Sequence, residues 1–355
     1  MLIKIIKVMN KRVLIIVVTY NSTDYVGDCF SSLQNISYPK NFYEILMIDN
    51  ASTDNSVEIG KKFSDVKIIQ NSKNLGFAAG NNLGFKYAVE HDFNYVYLLN
   101  ADTEVEPDFL EKVILLTQTD DSIAAVQSKL LLYEDKTKIN SIGNEIHYLG
   151  FGFAGGHKTE DKNIKIKEIT YPSGAAVLLD MEKLQQVGYF NPEFFMYHED
   201  TDLGWRIWLA GYKCLLEPSS VVYHKYEFSR SIKKYYFMER NRYMTILQNY
   251  KLATLLFLAP AWLAMELGLL LFSFITGFWK EKLRAYAYFF KLNNYKKISE
   301  TRKFVQRHRQ VKDREVVKRF VGKIEFQDLD NPVLKYIANP IFNIYWQVTK
   351  RIIWW

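Results

Sequence analysis

The sequence predicts an α/β fold, a mainly parallel sheet flanked by helices, over residues 1–250, followed by a helical, membrane-associating region over residues 251–355. Three observations predict it. Four apolar runs of strand length, Val13 to Val18, Ile45 to Ile48, Val66 to Ile69 and Tyr95 to Leu99, alternate with helix-spaced segments. All four runs finish in Asn, Asp or Thr, and a parallel sheet sets such ends along the one edge where ligands bind. Finally, Leu252 to Trp279 is a 28-residue apolar stretch whose single charge is Glu266.

The first run, VLIIVV, is apolar throughout because a parallel strand is covered on both faces, and it gives way to Thr19-Tyr20-Asn21-Ser22. Asp24 to Leu33 then places Tyr25, Val26, Cys29, Phe30 and Leu33 at helical spacing, which makes half of a right-handed βαβ unit. The second run ends in Asp49-Asn50, and Ser52 or Thr53 is expected to cap a helix through Val57, Ile59 and Phe63. The third leads through Asn71 and Asn74 to Gly76-Phe77-Ala78-Ala79-Gly80-Asn81-Asn82-Leu83-Gly84, whose glycines permit close backbone approach ahead of a helix to Glu90. The fourth delivers Asn100-Ala101-Asp102, and a carboxylate there can hold a hard divalent cation that neutralises phosphates. Taken singly, each polar end is also ordinary turn chemistry. No GxGxxG follows the first strand, which disfavours an NAD-type domain.

A composition of 48% hydrophobic and 15% aromatic residues over 355 positions is ample for a large core and an appendage. The net charge of +7 is unevenly held. Residues 280–355 carry 18 Lys and Arg against 7 Asp and Glu, a net of +11, which leaves residues 1–279 at −4. Cys29 and Cys214 offer neither metal-ligand spacing nor a disulfide framework, so a reducing cytoplasm is expected. The segment MLIKIIKVMNKR has no long apolar core or small-residue cleavage site, so no signal peptide is read, and Met9 is a second candidate start. No nucleic-acid module accompanies the basic tail, and nucleic acid is not an expected partner.

The motifs TYNS at 19–22, IDNASTDNS at 48–56, NLGFAAGNNLG at 74–84 and LLNADT at 98–103 resemble those of the family 2 inverting glycosyltransferases of GT-A fold, above all the rhamnosyltransferase-like branch. Ser173-Gly174-Ala175, FFMYHEDTDLGWRIWLAGY at 194–212 and His224 extend the resemblance over roughly residues 11–250. The resemblance implies a nucleotide-sugar donor, a divalent metal, Mn2+ or Mg2+, and inversion at the anomeric carbon. Thr19, Tyr20, Asn21, Asp49, Asn50, Asn74, Gly76, Asn81, Asn100, Ala101, Asp102, Ser173 and Gly174 would then line the donor site, with Asp49 and Asn74 set toward base and ribose. Ala101 stands where the branch usually has Pro, and Asn100 where the wider family has Asp, so Asp102 is left as the one ionised ligand in that motif. His224, 24 residues beyond Asp200, would be the second metal ligand; by itself a lone histidine after a strand is more often structural. The resemblance assigns the base to Asp200 and makes Glu199 an acceptor-side or supporting carboxylate, although acidic residues also suit a helix N-terminus on electrostatic grounds alone. Gly143, Gly150, Gly152, Gly155 and Gly156 among Tyr148, Phe151 and Phe153 read either as a mobile flap over the donor or as core.

The C-terminal region speaks to location. Leu252 to Trp279 is long enough to cross a bilayer once or to enter and leave it as a hairpin bent near Pro260, the alternative being a buried helix. Basic flanks on both sides favour monotopic or re-entrant insertion from the cytoplasmic face. Thr301 to Lys323 reads as a basic amphipathic helix on anionic lipid, and Ile341 to Trp355 as an aromatic interfacial anchor. The expected function is transfer of one sugar to a lipid-linked or glycan acceptor in surface glycan synthesis, with homo-oligomerisation possible. Asn100 also allows a membrane scaffold that has lost turnover. A sugar-nucleotide nucleotidyltransferase is the third reading, which would leave HED and His224 unexplained.

Overall fold

The computed structural model describes residues 10–226, 232–325 and 332–355; the N-terminal segment with Met9 lies outside them. Two compact units result. One takes the described residues up to Asn144, Ala154–Phe195 and 212–226, and the other takes 145–153, Met196–Gly211 and the described residues from 232 onward. The compact units thus divide at other places than the expected residue 250, the helices within 196–211 and 232–250 grouping with those after it, for packing reasons given below.

The first unit is built on β1 (Val13–Thr19), α1 (Thr23–Leu33), β2 (Tyr43–Asp49), α2 (Ser56–Gly60), β3 (Val66–Gln70), α3 (Gly76–Glu90) and β4 (Tyr95–Asn100). β5 (Thr103–Val105), α4 (Phe109–Thr117), β6 (Ile123–Leu132) and β7 (Ile139–Ser141) follow. After a two-stranded ribbon, β8 (Asn144–Ile146) with β9 (Gly152–Ala154), most of which falls in the other unit, come β10 (Lys167–Glu168), β11 (Ala176–Asp180), α5 (Met181–Val187) and β12 (Lys213–His224). The main sheet runs β10-β12-β6-β11-β4-β1-β2-β3, with β5 on β12 and β7 on β6. β4, β1, β2 and β3 are mutually parallel, as the apolar runs predict, while β11 enters antiparallel between β4 and β6. Val13, Leu14, Ile15, Ile16 and Val17 are fully buried, since helices cover both faces of β1. Gly84 lets α3 lie against β1, because a Cβ there would stand 2.5 Å from Ile16 Cδ1. α2 is shorter than expected and stops before Phe63. Its first turn is held by Asp54, whose Oδ1 accepts from Ser56 N at 3.0 Å, and not by Ser52 or Thr53.

The second unit is helical: α6 (Glu199–Leu209), α7 (Lys233–Asn249), α8 (Leu252–Thr276), α9 (Trp279–Phe289), α10 (Leu292–His308), α11 (Asp313–Val317) and α12 (Asn339–Ile352). Trp205 of α6 meets Tyr250 and Phe320 edge-on at 4.5 and 4.6 Å, and Tyr148 stacks on Trp346 at 4.6 Å. Tyr148, Phe151 and Phe153 are buried, so the aromatics of the glycine-rich stretch are core and no mobile flap is formed. The reading of 301–323 as a lipid-facing helix is likewise corrected. α10 ends at His308, and Val305, Val316, Val317 and Phe320 are buried inside the unit. The break is fixed by Asp313, itself buried, which accepts from Lys251 N at 2.9 Å and Thr254 Oγ1 at 2.5 Å and pairs with Arg309.

α8 is one helix running through Pro260, so the hairpin near that residue is not formed. Its single charge does not face outward. Glu266 pairs with Arg242 of α7 at 2.6 Å and with Lys282 of α9 at 2.7 Å, and accepts from Tyr286 at 2.7 Å and from Tyr243. Glu239 closes the network onto Arg242 and Lys282. Two carboxylates and two cations thus balance where isolated charges would be costly.

Candidate functional site

The site in the first unit grows from strand register. β1 and β2 pair up to Thr19↔Asp49, so these two residues share the last rung at the carboxyl edge. Thr19 Oγ1 donates to Asp49 Oδ1 at 3.1 Å and Ser52 N donates to Oδ2 at 3.0 Å, with Asp49 buried. Asn50 is buried beside it: its Nδ2 donates to the Gly76 carbonyl and its Oδ1 accepts from Asn71 Nδ2, both at 3.0 Å. Asn74 Oδ1 accepts from Gly76 N at 2.8 Å. Asp49 and Asn74, read from sequence as contacts to base and ribose, therefore hold loop backbone in place. Gly76 itself has φ +79°, and a Cβ would lie 2.4 Å from the Phe195 carbonyl oxygen, so the turn into α3 requires glycine. Asn21 Oδ1 accepts from Thr53 N at 2.8 Å, Tyr20 is half exposed, and Asn81 is buried within α3 with its Nδ2 on the Phe77 carbonyl at 3.0 Å.

The expected metal pair meets. β12 turns antiparallel onto β5 after a bulge near Glu217 to Val221, and its last residue, His224, pairs with Thr103. Lys225 N donates to the Asp102 carbonyl at 2.8 Å, which fixes the two chains at that rung. His224 Nε2 consequently stands 3.3 Å from Asp102 Oδ1, the histidine almost fully buried and the carboxylate reaching the surface. His224 Nδ1 lies 2.9 Å from Asn140 Oδ1, a contact that orients the ring so that Nε2 faces Asp102. A lone pair facing a carboxylate is unfavourable unless a proton or a cation stands between them. One imidazole and one carboxylate would supply two ligands to a divalent cation and suit manganese better than magnesium. Among the described residues no group of three or more His, Cys, Asp and Glu gathers to hold a metal, so oxygens from a bound ligand or water would complete the shell.

Ser173 and Gly174 come to the same edge. Asn100 N donates to the Ala175 carbonyl at 3.0 Å, and Ser173 N donates to Gln127 Oε1 at 2.8 Å. Ala101 is buried, and behind it Cys29 Sγ donates to the Asn100 carbonyl at 3.7 Å. Burial pushes the Cys29 thiol up, and the Asp102 charge adds to it, so the sulfur stays protonated. Asn140 and Gln127 are absent from the sequence reading. Neither sits in a motif, and only the sheet register brings them to the edge.

Glu199 and Asp200 lie in the second unit, in the first turn of α6. Tyr197 and His198 ahead of them are left-handed, with φ +66° and +68°. Buried Asn241 of α7 clamps this strained turn, donating through Nδ2 to the carbonyls of Met196 at 2.9 Å and Tyr197 at 2.7 Å. Asp200 Oδ1 accepts from Thr201 N at 2.7 Å. Glu199 points inward; burial, then the neighbouring Asp200 charge, push its carboxyl up to about 8. Burial thus favours its protonated form over a second anion beside Asp200. His198 is pushed down to about 4, first by burial and then by Arg242.

Residues 14–188, which hold this sheet edge up to Ser173-Gly174, match the model of the family described as Glycosyl transferase family 2. The chain carries a glycosyl transferase family 2 domain. Relatives of this domain include the low-salt glycan biosynthesis hexosyltransferase Agl10 of Haloferax volcanii, 22% identical over 54% of this chain and 60% of its own length. A poly-beta-1,6-N-acetyl-D-glucosamine synthase of Staphylococcus epidermidis is 28% identical over 57% of this chain and 47% of its own length. The chain thus spans about half the length of the curated relatives it matches. The crystal structure of GalNAc-T7 with UDP, GalNAc and Mn2+ overlays with a TM-score of 0.55 at 15% identity, covering 67% of this chain and 48% of that one. At that identity the likeness concerns the fold, the GT-A arrangement of a mostly parallel sheet flanked by helices.

Proposed function

We propose that the chain is an inverting glycosyltransferase that moves one hexose from a nucleotide-sugar donor to a lipid-linked or glycan acceptor at the cytoplasmic face of a membrane, in surface glycan synthesis. The observation that carries the reading is the pairing of Asp102 and His224 at the carboxyl edge of parallel strands in a glycosyl transferase family 2 domain. The named relatives supply the hexose and glycan chemistry, and the GalNAc-T7 complex supplies the precedent of UDP with Mn2+.

Asp102 and His224 would hold Mn2+ or Mg2+, which when bound offsets the charge of the donor diphosphate and of the departing nucleotide. Asn100, two residues before Asp102, would add a neutral oxygen. Asp200 is the proposed base: a carboxylate in the first turn of a helix is favoured in its ionised form, the form that takes a proton from an acceptor hydroxyl as it attacks the anomeric carbon. Protonated Glu199 beside it supplies no competing charge.

The test is a panel of UDP-, GDP- and dTDP-sugars, each assayed for hydrolysis and for thermal stabilisation with and without Mn2+. One donor should give both signals, metal-dependently. Binding without hydrolysis would favour the scaffold reading, and pyrophosphate released from a nucleoside triphosphate and a sugar phosphate would favour a nucleotidyltransferase.

A further inference from the structure

Within the helical unit, α8 has two faces of different character. Thr254, Leu258, Ala261, Met265 and Ser273 pack inward, and Glu266 is held from that side by Arg242 and Lys282. The opposite face bears Leu256, Leu263, Leu267 and Leu271, all well exposed, with alanine, glycine and proline between them and no polar side chain. α12 lies alongside: Trp355 Nε1 donates to Thr254 Oγ1 at 2.8 Å, Tyr345 donates to the Phe257 carbonyl, and Ile344 and Val348 are exposed. A helix of 25 residues is about 37 Å long, and exposed apolar side chains run along much of it, the kind of contiguous patch that marks an interaction surface.

We propose that the outer faces of α8 and α12 form one seat that rests in the plane of an anionic lipid leaflet, with α8 lying along the surface and not across it. The proposal rests on the reading of a lipid-linked acceptor and names the surface that meets the lipid. Crossing the bilayer would take Glu266 away from Arg242 and Lys282, leaving a carboxylate in hydrocarbon and two cations facing Glu239 alone. An in-plane seat keeps that network whole. The occupant is lipid and not a second copy because the strip between Leu256 and Leu271 is aliphatic, without the polar groups that protein interfaces set around their apolar centres. Instead its ends carry interfacial chemistry, exposed Lys280 beside Trp279 and exposed Arg351 beside Trp354. The +11 charge of residues 280–355 complements anionic headgroups.

The experiment uses the full chain and sealed vesicles of phosphatidylcholine mixed with phosphatidylglycerol. The protein should float with the vesicles, and the double variant Leu263→Glu, Leu267→Glu should lower the bound fraction about tenfold or more with unchanged circular dichroism. Ile344→Glu with Val348→Glu is the independent second variant, expected to act the same way. Fluorophores on single cysteines placed at Leu256, Leu263 and Leu271 should report one shallow depth to brominated lipids, while buried Cys29 and Cys214 stay unlabelled. A deep middle between shallow ends would mean that α8 crosses and would overturn the seat. So would undiminished flotation of both double variants, or a dimer in lipid-free solution that they convert to monomers. Donor-induced thermal stabilisation, read in parallel, separates the two claims: its loss with flotation intact sinks the transferase reading alone, and the reverse sinks the seat alone.

Discussion

Under the proposed function Asp102 is one of two metal ligands, so Asp102→Ala should abolish Mn2+-dependent donor binding by calorimetry. His224→Ala should weaken Mn2+ affinity about 10 to 100-fold, and Asn140→Ala should shift it in the same direction by releasing the ring that Nδ1 anchors. Unchanged metal dependence in Asp102→Ala would contradict the assignment. Asp200→Asn keeps the shape of the side chain and removes its basicity, so turnover should fall about 100 to 10,000-fold with donor affinity retained. That Asp102 and His224 come at strand ends is legible in the sequence, and the structure brings the two together, while the role of Asp200 rests on the proposed function. Asn140 was not legible, since its partner lies 84 residues away and only the β6, β7 and β12 registers bring the two together.

At the scale of elements, the first turn of α6 makes folding depend on pH. Between its ordinary 4.5 and about 8, Glu199 holds a proton in the folded chain and not in the unfolded one, so its contribution to stability is complete below 4.5 and lost as pH rises through 8. His198 acts oppositely, holding its proton only when unfolded between about 4 and 6.5, so stability is lost as pH falls through that window. Glu199→Gln should therefore gain melting temperature relative to the unaltered chain on going from pH 5 to pH 8; a constant difference across that range would count against a protonated Glu199. At the entry to α3, Gly76→Ala should cost about 2 kcal/mol or more, measured by denaturant unfolding, from positive φ and the Phe195 carbonyl together. The strands and α3 were readable from apolar runs and glycine spacing. The segment 301–323 misled because periodicity reports that a stripe is apolar and is silent on whether lipid or Trp205 covers it.

For the whole molecule, the sequence divides naturally at residue 250, where polar chemistry gives way to an apolar run, yet the packing divides elsewhere. Asp202 of α6 accepts from Asn249 at 2.9 Å, and Arg242 and Glu239 of α7 depend on Glu266 and Lys282 from beyond that point. Truncation after Lys251 should accordingly yield a chain that aggregates or loses the melting transition of the helical unit, and a soluble fragment with native circular dichroism would refute the network as a fold determinant. The pairing of β12 with β5 also has a bearing on time. Asp102 leaves the ribosome 122 residues ahead of His224, and their rung closes only when the last strand docks beside β6. Contacts so distant in sequence form late, because the intervening loop must be ordered first. Mn2+ should thus slow unfolding of the sheet while leaving its refolding rate unchanged, as an interaction absent from the transition state does.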